Sequence, residues 1–180
     1  MPNPLFSINF PDLFFMNFAP DFNFSLVNIK TNGEIVSTNR LDVESRVNLP
    51  DDESVKIFFV NWILRLNLDN QRFIYLLRFK IKESGDIYLT EIKDTLYDSN
   101  LLQEILIFPV NIVYQKPIPI GLNISLKYVK RLSSLTVNNR LYNDIITAEL
   151  NFSEKVWTIY FARNNGIIGM KSDTDIFRIK

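Results

Sequence analysis

Along most of the chain hydrophobic and polar residues alternate with a period of two, the pattern of strands that bury one face. From Arg40 to Leu49, Leu41, Val43, Val47 and Leu49 fall on one side and Arg40, Asp42, Glu44 and Arg46 on the other, which predicts a half-solvated antiparallel strand. Before it, Ser25 to Ser37 reads as two short arms around Asn32-Gly33, a dipeptide suited to a tight hairpin turn. After the turn Pro50-Asp51-Asp52-Glu53, Val55 to Leu68 is apolar on both faces, as expected of a long central strand covered on both sides. Phe73, Tyr75, Leu77, Phe79 and Ile81 then alternate with Arg78, Lys80 and Lys82, and Glu83-Ser84-Gly85-Asp86 returns the chain into Ile87 to Ile92.

The pattern is less decided in the middle. Asp98-Ser99-Asn100 before Leu101-Leu102-Gln103-Glu104-Ile105-Leu106 has the form of a capped helix start, which Pro109 would stop within a turn or two. The rival reading makes Ile105 to Tyr114 a strand with Pro109 at an edge or a bulge, and both stay open at this point. Residues 115–121, with Pro117 and Pro119, read as an extended connector over the surface. The last third is strand after strand. Leu122 to Val129 alternates, Leu135-Thr136-Val137 meets Arg140-Leu141-Tyr142 across Asn138-Asn139, and further strands follow at Ile145, Val156, Ile167 and Ile176. Residues 1–180 therefore read as a single all-β domain of about ten to twelve strands, a mainly antiparallel sandwich or a curved, barrel-like sheet with at most one short helix.

Composition narrows the chemistry. In 180 residues there is no His and no Cys, which removes imidazole bases, thiol nucleophiles, thiolate metal sites and disulfides. Twenty basic residues balance twenty acidic ones, so a mainly electrostatic partner such as nucleic acid is not expected. The aromatic beginning, Leu5 to Phe18, is broken by Pro11, Asp12 and Asn17 and is too short for a membrane-spanning helix; a basic secretory start is missing as well.

The stretches Thr136-Val137-Asn138-Asn139-Arg140-Leu141-Tyr142-Asn143-Asp144-Ile145-Ile146, Tyr160-Phe161-Ala162-Arg163-Asn164-Asn165-Gly166-Ile167-Ile168-Gly169-Met170-Lys171 and Ile176-Phe177-Arg178-Ile179 resemble the carboxy-terminal strands of uncharacterised lipoproteins and secreted β proteins of the Bacteroidetes cell envelope. The resemblance covers about a quarter of the chain, with Asn139 where those proteins carry Gly. It implies a terminal β meander and a cell-envelope location, periplasm or surface, and it brings no catalytic residue with it. The alternative location is the cytoplasm.

Few residues stand out as candidates for function. The carboxylates cluster at turns: Asp51, Asp52 and Glu53; Glu91, Asp94 and Asp98; Asp173 and Asp175. Turn residues of this kind are ordinarily solvated, so a carboxylate-dependent glycosidase is the weakest of three readings. Gly166-Ile167-Ile168-Gly169 fits no phosphate-binding loop, and no metal or cofactor site is expected. The aromatic side chains carry more weight. Phe14, Phe15, Phe18 and Phe22 at the start, with Phe59 and Trp62 in the apolar strand, are the expected ligand or partner contacts. Two functions follow: a non-enzymatic envelope module that binds an unknown protein or plays a structural part, and a carrier of an apolar, lipid-like small molecule inside a barrel.

Overall fold

The computed structural model describes residues 23–30, 32, 34–48, 57–68, 70–82, 84–94, 100–109, 111–121, 123–152, 155–163 and 165–179. Twelve strands follow in order: β1 (Asn23–Ile29), β2 (Ile35–Asn48), β3 (Ile57–Leu68), β4 (Gln71–Lys82), β5 (Ile87–Asp94), β6 (Asn100–Phe108), β7 (Pro117–Gly121), β8 (Ile124–Val137), β9 (Arg140–Phe152), β10 (Lys155–Ala162), β11 (Gly166–Lys171) and β12 (Ile176–Ile179). No helix occurs among the described residues. All twelve lie in one sheet, ordered β6-β5-β4-β3-β2-β1-β12-β11-β10-β9-β8-β7, and every neighbouring pair is antiparallel. Two six-strand meanders are thus joined where the first strand meets the last, through Leu26 opposite Ile179 and Asn28 opposite Phe177. The result is a nearly closed barrel whose seam lies between β6 and β7. Of the two architectures the alternation allows, the barrel-like sheet is the one formed.

The period-two pattern maps directly onto inside and outside. Leu41, Val43 and Ser45 of β2 face inward with Val60 and Trp62 of β3 and Phe79 and Ile81 of β4, all buried. Arg40, Asp42, Glu44, Arg46, Arg65, Arg78 and Lys80 occupy the alternate, outward positions. Ion pairs lace that outer surface, among them Arg65–Glu44 at 2.6 Å, Lys80–Glu104 at 2.5 Å and Lys127–Glu149 at 2.5 Å. Apolar inside and charged outside is the reverse of a barrel whose outer wall faces lipid.

Four local expectations change. Asn100 begins a strand rather than capping a helix, because residues 100–108 pair with β5, and Pro109 ends the strand where it would have ended the helix. Of residues 115–121, all but 115 and 116 form edge strand β7 on β8; the link from β6 to β7 is 109–116. Asn32 lies in a connection longer than two residues, between β1 and β2, closed by a bond from Lys30 N–H to the Glu34 carbonyl, and its side chain accepts from Glu34 N–H; Gly33 lies outside the described residues. The apolar strand β3 is buried on its inner face alone. Outward-pointing Phe59 and Ile63 are partly covered by cross-strand neighbours, with the Arg78 guanidinium 4.6 Å from the Phe59 ring centre.

The β8–β9 hairpin bends partway along. A bulge lies between Tyr128 and Lys130 on one arm, and Asp144 on the other has a positive φ of 58°. Beyond the bend, Leu132, Leu135, Val137, Tyr142 and Ile145 form a second small core against Tyr160, Ala162 and Ile168 on the outer face. We call this distal half the flap. Its tip, Asn138-Asn139, takes positive φ at both residues, 49° and 62°, as a primed turn requires, and Asn138 Nδ2 donates to the Ile179 carbonyl at 2.6 Å.

Candidate functional site

The barrel interior is one continuous apolar cluster contributed by strands all around the ring. At the seam, where no ladder joins β6 to β7, side chains make the closure. The Tyr128 hydroxyl of β8 donates to the Ile107 carbonyl of β6 at 2.6 Å. The Phe108 ring packs against Tyr128 at 5.5 Å and edge-on against Phe161 at 5.4 Å, so β6 is held to β8 and β10 from within. Burial pushes the Tyr128 phenol well above its ordinary pKa, which keeps it a neutral donor.

Burial is uneven along the barrel axis. The end holding the β4–β5 and β10–β11 turns is packed: Val60, Phe79, Ile81, Ile87, Leu89, Ile107, Phe108, Tyr128, Ile146 and Phe161 are all buried. Toward the opposite end, with the β3–β4 and β11–β12 turns, inward residues of two walls are covered only in part. On one wall these are Leu64, Leu66, Leu77 and Ile92 of β3 to β5; on the other they are Ile124, Leu150 and Trp157 of β8 to β10. In a ring of twelve strands these walls stand nearly opposite each other. The interior cluster thus ends, on these two walls, in apolar side chains that pack on it yet keep part of their surface uncovered.

Four polar side chains are buried among the described residues: Asn28, Asn39, Ser45 and Thr147. Asn28 donates to Asp175 at the β11–β12 turn, and Thr147 donates to the Lys130 carbonyl in the wall. Ser45 differs. Fully buried, it faces inward across from Trp62, and its hydroxyl has no hydrogen-bond partner. None of the four carries a charge.

The described carboxylates that interact lie on the outer wall and at the turns. Hydrogen bonds from Arg65 and Arg46 hold Glu44 below its ordinary pKa. Asp144, at the bend of the flap, takes both nitrogens of the Arg131 fork at 2.5 and 2.8 Å, with Arg163 at 3.6 Å, and its pKa is lowered chiefly by Arg131. Burial works to raise Asp175, but bonds from Thr174 and Asn28 leave it lowered overall. Asp173-Thr174-Asp175 is accordingly a hairpin turn closed by Ser172, whose hydroxyl accepts from the amides of Thr174 and Asp175. No group of three potential metal-ligating His, Cys, Asp or Glu residues occurs among the described residues.

The expected contact residues divide. Trp62 belongs to the interior cluster, where it meets Phe79 edge-on at 5.3 Å. Phe59 points to the opposite side of the sheet, one consequence of period two that a list of aromatics does not respect. Phe14, Phe15, Phe18 and Phe22 lie outside the described residues, as do Asp51, Asp52, Glu53 and Asp98. Sequence reasoning missed Ser45. The available signal was its place on the apolar side of β2, between Val43 and Val47, where alternation asks for a hydrophobe.

Fold and interior together define the class: an antiparallel, apolar-centred, barrel-like β protein. Comparison with known proteins adds no narrower assignment, since no protein family, curated protein or solved structure matches the chain.

Proposed function

We propose that the protein is a binding module that carries an apolar small molecule in its barrel. The observation behind this reading is the gradient of burial: ring-packed at the β4–β5 end, with apolar residues of two facing walls only partly covered toward the β3–β4 end, although Leu26, Leu41 and Phe177 between them are buried. A barrel built for shape alone gains most by burying Leu64, Leu66, Leu77 and Trp157 fully, since each buried large side chain contributes about 1.5–3 kcal/mol. Leaving them partly uncovered on two facing walls is the arrangement that a ligand would complete. The cell-envelope setting belongs to the same proposal and rests on the carboxy-terminal motif, and fractionation of the native host would test it.

Both tryptophans of the chain, Trp62 and Trp157, belong to or pack on the interior cluster, so intrinsic fluorescence reports on the interior. Titration with an apolar dye such as N-phenylnaphthylamine is expected to give saturable binding with quenching or energy transfer from tryptophan, and a melting temperature that climbs with dye concentration. Leu66→Asp, which charges the partly covered end without touching the packed one, should weaken binding while leaving the protein folded. Absence of saturable binding to the unmodified protein would overturn the proposal.

A further inference from the structure

Strand β8 has neighbours on both sides along only part of its length. β9 pairs with it from Ser125 to Val137, while β7 covers its other side from Ile124 to Lys127. Gln115 of the link extends that cover a little further: its N–H donates to the Tyr128 carbonyl at 2.7 Å, and its side-chain amide donates to the Val129 carbonyl at 2.8 Å. Beyond Val129 no described strand lies on that side, so the flap arm of β8 is an edge strand. Val137 and Arg140 flank the two-residue turn and exchange both their backbone hydrogen bonds, as do Leu135 and Tyr142 by alternation. The N–H and C=O groups of Ser134 and Thr136 therefore point away from β9, into the space beside the flap. Ser133, Ser134 and Thr136 are exposed, so another strand can reach them. Edge strands are ordinarily guarded by proline, by charge or by a bulge, and β7 has its prolines. Residues 132–137 of the flap arm, Leu-Ser-Ser-Leu-Thr-Val, have neither proline nor charge.

We propose that this edge is a self-association surface: two copies of the chain join flap to flap, β8 running antiparallel to β8 of the second copy about a twofold axis at Leu135. The pattern around Leu135 is what selects a second copy as the occupant. With the axis there, Ser134 falls opposite Thr136 of the second copy and Thr136 opposite its Ser134, so the outward-pointing groups of each pair meet and exchange both bonds. Leu135 stands opposite its own counterpart in the intervening pair, where side chains approach most closely, and the hydroxyl side chains meet hydroxyl side chains. Charge does not oppose the match. The nearest cation, Arg131, falls level with the turn of the second copy, beyond its strand, and is already held by Asp144. The same edge is used on both copies, so the contact closes at two. It is also short, at the small end of specific interfaces, and the dimer is weak and reversible, with a dissociation constant on the order of 10 µM or above. This surface is independent of the barrel interior and of what the interior binds.

Sedimentation velocity on the full chain, from about 1 µM to about 1 mM, tests the proposal and is expected to show a monomer–dimer equilibrium. Ser134→Lys, an exposed position that leaves the flap core untouched, sets a lysine on the edge and should weaken dimerisation at least tenfold at an unchanged melting temperature. The register has its own readout, because the chain contains no cysteine. Leu135→Cys then carries a single thiol, and mild oxidation should link it to its counterpart, since directly opposed residues of an antiparallel pair lie within disulfide reach. Leu141→Cys, exposed on the β9 arm one strand in from the edge, should stay unlinked: its counterpart would be three strand spacings away, about 14 Å. A protein that remains monomeric over the whole range would overturn the proposal. So would a dimer indifferent to Ser134→Lys, or Leu141→Cys linking as readily as Leu135→Cys, since either places the contact elsewhere.

Discussion

At the residue scale, two side-chain details hold the barrel in shape. Tyr128 is the hydrogen bond across the seam, and replacing it by Phe leaves the Ile107 carbonyl buried without its donor while preserving the ring stack on Phe108. Tyr128→Phe should therefore cost about 1–3 kcal/mol in urea denaturation, the penalty of a stranded buried acceptor, with little change in the denaturant slope. Gly169 is a packing glycine: a Cβ there would stand 3.1 Å from the Phe177 carbonyl oxygen, which is backbone and cannot swing aside. Gly169→Ala should cost about 1–3 kcal/mol as β11 and β12 are pushed apart, and a melting temperature equal to that of the parent would contradict the close approach. Ser45 belongs at this scale too, and it shows where sequence reading stops. One serine among alternating hydrophobes looks like noise until the cross-strand partner and the missing hydrogen bond are known.

At the scale of elements, the hairpins were the most legible part of the chain, because turn chemistry is local. Asn138-Asn139 announces positive φ at two successive residues, and the structure has it there. Residues 100–108 were not legible, since Asn100, Gln103 and the leucines satisfy a helix and a strand equally well. Their pairing with β5, which no local signal encodes, decides the matter. The flap was likewise invisible: its bend depends on Asp144 in a left-handed conformation, and Asp at a strand centre carries no such label. That bend has a pH dependence of definite sign. The folded-state pKa of Asp144 is lowered, chiefly by its bonds from Arg131, so the native protein binds fewer protons there than the unfolded chain. Its contribution is complete above the ordinary aspartate value of about 3.9 and disappears as the pH falls through the lower folded value. Hydrogen exchange should accordingly show the flap amides around Leu135 and Tyr142 losing protection in acid before the barrel amides of β3 and β4, and Asp144→Asn should remove that difference. Flap and barrel loosening together would mean that the Arg131 clasp contributes nothing.

Over the whole molecule, alternation established the all-β class but could not choose between sandwich and barrel. That choice is made by β1 pairing with β12, a contact between residues some 150 positions apart for which the sequence has no short-range signal. The same pairing makes the barrel divisible. Six strands precede the link 109–116 and six follow it, and the two halves meet through the β1–β12 ladder and the shared interior. Fragments 1–115 and 116–180 produced together should assemble into a one-to-one complex with the spectrum of the intact chain, whereas mutual indifference of the two would show that the link is needed to bring β1 to β12. The seam that remains has its own logic in β7, where Pro117 and Pro119 stand two residues apart on an outermost strand. Imino nitrogens at alternate positions strip two donors from one side of that strand, so it offers a poorer template for a further ladder. A ring left one ladder short of closure thereby carries, on its β7 side, a built-in brake on edge-to-edge growth.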